Sequence, residues 1–441
     1  MAYTTQSPLT PRHRRLRIQI FAVTWLAYFG FYLTRKSFSV AKIGISLDPS
    51  MGHMNMEAMG WIDLCFLAAY ALGQFVFGIA GDRFGSRRVV TTGMLCSIVA
   101  SVAMGVSSLT VVMCLLFTVQ GLAQSTGWGP LIKNVGNFFA EHERGVVLGF
   151  WCTSYAVGGM AASIYAGYWG DKLGWRYAFH IPAVTVLLIW IVFILFQRNR
   201  PEDFGLLSTE KGDRDSLSGP PHEHDEGSVS LVSIVSIVTD RNVMLLAAIY
   251  FFIKPLRYAL IFWGPQYIHS KLGVGMAQSG FLSSLFDMAG IFGTLFAGFL
   301  SDRVFAAKRI PICSLSLLTL GILLFFIHMI PATRLMLGLS FMVIGFIIYA
   351  PDSIVSATAT IDFGTKGRTS TAAGFVNFIG SIGAFVGGVV PGFFAARWGW
   401  HGVFMFLGTL TAVGGILLIT QWHLLPDRAN RVDGANSSPH E

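Results

Sequence analysis

A chain of 441 residues that is 53% hydrophobic and 12% charged, with a mean hydropathy of +0.60, is excluded from the water-soluble globules, in which about 25% of residues carry charge. The formal charge of +8 gathers largely in short segments on one side of the predicted membrane spans, so it reads as orientation and not as a nucleic-acid surface. Five cysteines, at 65, 96, 114, 152 and 313, lie in apolar stretches without a Cys/His cluster, which points to neither a disulfide frame nor a metal site.

Residues 1–17 read as a basic cytoplasmic tail. The apolar stretch from Ile18 is, at about 30 residues, too long for a signal-peptide core and is the first membrane helix. Apolar runs between charged or Gly/Pro-rich breaks predict spans over 18–46, 58–80, 89–107, 110–138, 145–168 and 178–196. Residues 197–241 break the pattern with QRNRPEDFG, TEKGDRD and SGPPHEHDEG, a polar, mixed-charge linker too poor in apolar residues to bury a core. Spans over 242–268, 276–300, 310–330, 334–358, 370–396 and 402–422 follow, and 423–441 form a polar cytoplasmic tail. A crossing takes about 20 residues, so the length suits an all-α membrane protein of twelve transmembrane helices in two six-helix halves, 18–196 and 242–422.

Thirteen basic residues (Arg12, Arg14, Arg15, Arg17, Arg83, Arg87, Arg88, Arg144, Arg303, Lys308, Arg309, Lys366 and Arg368) fall on the side that holds the termini. The other side has Lys42, Lys172, Arg176, Lys271, Arg334 and Arg397. This bias predicts that both termini are cytoplasmic. The halves are also alike in sequence. GIAGDRFGSRR from Gly78 and GFLSDRVFAAKR from Gly298 sit 220 residues apart, and LGWRYAF around Gly174 answers WGWHGVF around Gly399 at an offset of 225. Such repeats point to a substrate site between the halves, near the midplane.

In the loop after the second span, Gly78 and Gly85 allow a close helix approach and a tight turn, while Asp82, Arg83, Arg87 and Arg88 offer charges to a neighbouring helix end. Asp302 and Arg303 belong to the second copy. Together these residues read as a conformational latch, and the doubled pattern resembles the loop signature of the major facilitator superfamily. The resemblance covers nearly the whole chain and implies that superfamily's fold, with two pseudo-symmetric halves.

An ionisable group at mid-bilayer costs at least about 2.5–3.5 kcal/mol, so each one within a span is a functional candidate. Arg35 and Lys36 lie past the middle of the first span, where about 100° separates neighbours on a helix and sends them to different partners. The alternative is a helix ending near Thr34 with both side chains snorkelling outward. Lys254 and Arg257 share one face of the seventh span, with Pro255 between them. Asp287 is central in the eighth span, and Asp63 and Asp352 lie nearer the ends of theirs. Four cations then exceed three carboxylates, and Arg35 and Arg257 hold corresponding positions in the two halves, 222 residues apart. Two guanidinium forks converging from opposite halves suit a tetrahedral dianion, a phosphate or phosphoryl group.

A narrower likeness rests on Tyr32-Leu-Thr-Arg35-Lys36, Pro255-Leu-Arg257-Tyr258 with Trp263-Gly-Pro265, Gly127-Trp128-Gly-Pro130, Arg144-Gly145 with Trp151, and Tyr349-Ala-Pro351. These motifs and their order resemble the organophosphate:phosphate antiporters, which include glycerol-phosphate and hexose-phosphate transporters, a hexose-phosphate sensor and the sugar-phosphate exchangers. The resemblance implies that Arg35 and Arg257 bind phosphate and that Lys36 forms an ion pair with Asp287. Gln74 stands where the glycerol-phosphate transporters carry lysine, and Tyr155 where their signature has histidine. Lys254 replaces a tyrosine and brings a third cation. Tyr32, Trp128, Tyr155 and Tyr258, with Trp151 and Tyr349, are candidates to bound the organic part of a ligand. Its identity depends on the cavity around Gln74, Tyr155, Lys254, Asn377 and Ser381.

The expected protein is a monomeric antiporter of the bacterial inner membrane that exchanges a phosphorylated small metabolite for inorganic phosphate by alternating access. It needs no cofactor, metal or nucleic acid and is not an enzyme. Two other readings stay open at this point. One is a receptor of the same fold that binds a sugar phosphate and signals to a membrane sensor kinase. The other is a proton symporter of an organic anion with Asp287 or Asp352 as the proton carrier.

Overall fold

The computed structural model describes residues 11–139, 141–199, 239–303, 310–361 and 369–422. Most of the predicted linker, the tail from 423, and Lys308, Arg309, Lys366 and Arg368 lie outside the described residues. So do the side chains of Asp82, Arg144, Asp302 and Arg303. The N-terminal half comprises α1 (Pro11–Arg35), α2 (Ser37–Leu47), α3 (Met56–Phe84), α4 (Ser86–Val106), α5 (Thr110–Ser125), α6 (Trp128–Gly136), α7 (Glu141–Leu173) and α8 (Tyr177–Phe196). The C-terminal half comprises α9 (Arg241–Leu272), α10 (Met276–Arg303), α11 (Ile310–Phe326), α12 (Arg334–Ile361) and α13 (Thr369–Ile419).

Eleven of the described helical stretches, counting α1 with α2 and α5 with α6, are long and apolar enough to cross a membrane. One of them, within α13, makes two crossings, because the helix breaks at Gly399 (φ 65°, ψ −178°), a conformation that glycine adopts without a Cβ clash. The result is a twelve-span helical membrane protein. The first and last described helices of each half meet at one end of the bundle, called the end with the termini below, where Gln19 donates to the Phe196 carbonyl at 2.8 Å and Arg241 to the Gln421 side chain at 2.6 Å.

The helices outrun the predicted spans. Arg12, Arg14, Arg15 and Arg17 lie on α1, which is helical from Pro11. Apolar patterning marks only the hydrocarbon core, whereas backbone hydrogen bonding continues the helix into the interface. Two predicted spans are each two helices. The first breaks at Lys36 (φ −87°, ψ −4°). The fourth breaks at Thr126–Gly127, where Pro130 offers no N–H to the Thr126 carbonyl.

The halves meet toward the end away from the termini, called the far end below. A Cβ on Gly280 of α10 would lie 2.3 Å from the Ser163 carbonyl oxygen of α7, and one on Gly392 of α13 would lie 2.6 Å from the Met56 carbonyl oxygen of α3. Helices in lipid approach this closely only through small residues. The Met276 amide of α10 also donates to Asp171 of α7 at 3.0 Å.

Candidate anion site between the halves

Arg35 and Lys36, about 100° apart around the first span, point to different partners. Arg35 and Lys36 are 3% and 1% exposed, which excludes outward snorkelling. Arg35 stays within its own half. Its Nε donates to Gln124 Oε1 at 2.7 Å, and Gln124 Nε2 donates onward to Thr34 Oγ1 at 3.1 Å. Thr34 and Gln120 both meet Ser97 Oγ at 3.0 Å, so α1, α4 and α5 hold the guanidinium through a shared polar network. The guanidinium carbon lies 4.4 Å from the Tyr32 ring and 4.6 Å from the Tyr70 ring. Lys36 crosses to the other half, its Nζ 2.5 Å from Asp287 Oδ2, while Tyr349 donates to Asp287 Oδ1 at 2.8 Å.

Arg257 comes from α9. Its Nη1 is 2.6 Å from Asp352 Oδ2, and its guanidinium carbon lies 4.6 Å from the Tyr349 ring and 5.4 Å from the Tyr155 ring of the opposite half. Tyr155 and Tyr349 stack across the halves at 6.3 Å. The Tyr32 ring, 4.4 Å from the Arg35 guanidinium, lies 6.2 Å from the Tyr155 ring, which Arg257 approaches to 5.4 Å, so the two arginines border one region. Lys254, one turn before Arg257, places its Nζ 4.2 Å from the Tyr250 ring and 5.3 Å from the Tyr258 ring. It has no carboxylate partner among the described residues.

Three buried hydrogen-bonding atoms here lack a partner: Arg35 Nη2, Arg257 Nε and Asp352 Oδ1. Buried polar atoms are ordinarily satisfied, so orphaned guanidinium nitrogens mark where an anion would bind. Asp287, Asp352 and Asp63 each pair with one cation. Among the buried cations that the structure describes, Arg35 and Lys254 are left without a carboxylate within ion-pair distance, an excess that suits a phosphate monoester.

The other predicted residues divide into two groups. Trp128 lies 6.4 Å from Tyr155, Gln74 follows Tyr70 by one turn of α3, and half-buried Tyr258 stacks on Phe262 at 6.0 Å. These border the arginines. Trp151 does not, because it is fully buried and donates to Thr24 at 3.2 Å as core packing. The latch residues sit at the end with the termini. Gly85 turns there at φ 81°, Arg83 and Arg88 are exposed, and Gly78 has open space around it. Arg87 binds its own half, through its amide to Asn199 and its guanidinium to the Ile194 carbonyl at 2.6 Å.

Sequence reasoning placed Lys42 with the outer flanks, and that is corrected: Lys42 is fully buried, its Nζ 2.5 Å from Asp63 Oδ2. Its nearness to the predicted span end masked this position. Gln124, Tyr70 and Tyr250 were missed too. Gln120 and Gln124, polar and four apart in an apolar run, were the legible clue.

The sequence model of the Major Facilitator Superfamily matches residues 21–388. Among curated proteins, the chain is similar to a probable hexose phosphate transport protein of Chlamydia pneumoniae, 28% identical over 95% of this chain and 94% of that one. It is 27% identical to the glycerol-3-phosphate transporter of Bacillus subtilis over 95% of each chain. It is 28% identical to sugar phosphate exchanger 3 of Xenopus laevis over 88% of each. Among solved structures, a bacterial homologue of the human lysosomal transporter Spinster, in an inward-facing and unoccupied conformation, has the same fold, with a TM-score of 0.69 at 14% identity over 92% of this chain and 95% of that one.

Proposed function

This chain belongs to the Major Facilitator Superfamily, and from that premise we propose that it is a secondary transporter that exchanges a phosphorylated small metabolite for inorganic phosphate by alternating access. The observation that carries the reading is the pair of buried arginines, one from the first span of each half, each with an unpartnered guanidinium nitrogen. Curated relatives named as hexose-phosphate and glycerol-3-phosphate transporters support a phosphate-ester cargo.

Arg35 and Arg257 grip the phosphoryl oxygens from opposite sides and draw the halves together. Lys254 adds a third cation from the C-terminal half, while Asp352 holds Arg257 until the anion arrives. Tyr32, Tyr155, Tyr258, Trp128 and Gln74 bound the organic group. Without an anion the cations repel one another, so reorientation of the empty carrier is slow and transport becomes exchange. The basic residues at the end with the termini put that end in the cytoplasm, with the monomer as the working unit and no sensor kinase required.

Proteoliposomes preloaded with phosphate are expected to take up labelled phosphate far faster than empty ones, and an excess of hexose phosphate or glycerol phosphate outside should compete. Rapid efflux into anion-free buffer would contradict obligatory exchange. Uptake driven by a pH gradient without a counter-anion would favour a proton symporter, and binding without transport a sensor. Lys254→Ala is expected to weaken phosphate affinity about tenfold, roughly 1.4 kcal/mol for one charge-assisted contact. Titration calorimetry of the purified variant measures this, and unchanged affinity would remove Lys254 from the site.

A further inference from the structure

Lys42 and Asp63 lie outside the anion site and are both fully buried. Their 2.5 Å contact is internal to the N-terminal half, yet the ammonium also reaches across to the C-terminal half. Lys42 Nζ donates to the Phe262 carbonyl at 3.0 Å and lies 3.6 Å from the Trp263 ring. One turn back on the same face of α2, Ser39 Oγ donates to the Ile261 carbonyl at 2.9 Å. Two donors three residues apart thus dock on two consecutive carbonyls of α9.

Residue 265 explains why these carbonyls are on offer. In an α-helix the carbonyl of residue 261 accepts from the amide of residue 265, but Pro265 has no N–H and its ring crowds that oxygen. The Ile261 carbonyl therefore has no partner of this kind within its own helix, and a buried orphan carbonyl is costly. The Phe262 carbonyl has a second lone pair for Lys42. Trp263 is fixed in turn by donating its indole N–H to the Gly388 carbonyl of α13 at 2.9 Å.

We infer that Ser39 and Lys42 form a clasp onto the proline-opened carbonyls of α9 that holds the far end of the bundle shut. When the halves part, Lys42 keeps Asp63, so only the carbonyl and indole contacts break. Hydration of the exposed ion pair offsets part of that loss, which makes the clasp a reversible closure instead of a permanent joint. The inference rests on the alternating-access part of the proposed function and not on the identity of the anion.

The test is the distance between spin labels carried by unnatural amino acids at positions 109 and 332. These are exposed loop sites of opposite halves at the far end. Pulsed electron paramagnetic resonance on the full chain in nanodiscs, without any anion, reads the ratio of separated to closed populations. Ser39→Ala, Pro265→Ala and the neutral double variant Lys42→Met with Asp63→Asn are each expected to raise that ratio about three- to tenfold. Ser39→Ala combined with Pro265→Ala should move it no further than the larger single change, because both act on one hydrogen bond. Unchanged ratios in all three variants, or a lowered melting temperature with no change in the ratio, would overturn the clasp. So would additive effects of the Ser39 and Pro265 changes. Because no anion is present, failure here is separate from failure of the phosphate reading.

Discussion

Arg35→Lys and Arg257→Lys are each expected to abolish phosphate exchange in preloaded proteoliposomes while leaving the protein folded. Lysine keeps the charge and loses the planar fork, so the substitution isolates bidentate geometry from simple electropositivity. A charge-assisted hydrogen bond contributes about 1.5–3 kcal/mol. Losing one or two of them predicts a fall in phosphate affinity of roughly 30- to 700-fold, or about 2–4 kcal/mol. Arg35→Lys also releases Gln124, whose Oε1 accepts from Arg35 Nε at 2.7 Å, but Gln124 keeps Thr34 through its amide, so the local helix contacts survive. Arg257→Lys keeps a cation near Asp352, whose Oδ2 lies 2.6 Å from Arg257 Nη1, so it is the milder change for stability. The decisive comparison is labelled-phosphate uptake with and without internal phosphate. Wild-type uptake from either lysine variant would show that the site recognises charge alone, and the tetrahedral two-fork geometry would be withdrawn.

The second large effect belongs to the ion pair that crosses the halves. Lys36→Met leaves Asp287 buried with Tyr349 as its remaining donor, and Asp287→Asn leaves the Lys36 ammonium facing a neutral amide. Removing one member of a buried pair costs about 3–5 kcal/mol, because the survivor keeps its desolvation penalty without its counter-charge. Each single change should therefore lower the melting temperature in detergent, measured by intrinsic tryptophan fluorescence. The double variant Lys36→Met with Asp287→Leu should recover most of that loss, since replacing a buried pair with apolar groups is often neutral or stabilising. Transport should not recover with it. The pair joins α1–α2 to α10 only while the halves are together there, so removing both charges removes a contact that distinguishes the two conformations. A double variant that regained both stability and exchange would reduce the pair to packing.

Much of this was legible because lipid makes charge conspicuous. Against runs such as FAVTWLAYFGFYL and YFFIKPL, Arg35, Lys36, Lys254 and Arg257 stand out without any coordinates, as does Asp287 in the eighth span. Which cation met which carboxylate was less legible. Asp63 and Asp352 stood too near their predicted span ends to be assigned, and both proved fully or nearly fully buried against Lys42 and Arg257. Lys42 itself was hidden by the break at Lys36. A straight first span would carry residue 42 toward the far interface, whereas the turn tips α2 against α9 and buries the ammonium beneath Trp263.

The amino-acid sequence by itself determined the solvent, the number of crossings, the doubled architecture and the excess of fixed positive charge. Each of these follows from properties that add along the chain: hydropathy over about 20 residues, the spacing of polar breaks, and repeats at constant offset. Only the tertiary structure decided that Arg35 is held by Gln124 and not by an acid, that Lys36 crosses to Asp287, and that Ser39 and Lys42 reach the carbonyls opened by Pro265. Those pairings depend on where a helix breaks and on how closely glycines let backbones approach. A kink of one residue redirects every side chain beyond it, and a periodic pattern read along one span carries no information about the span that will lie beside it.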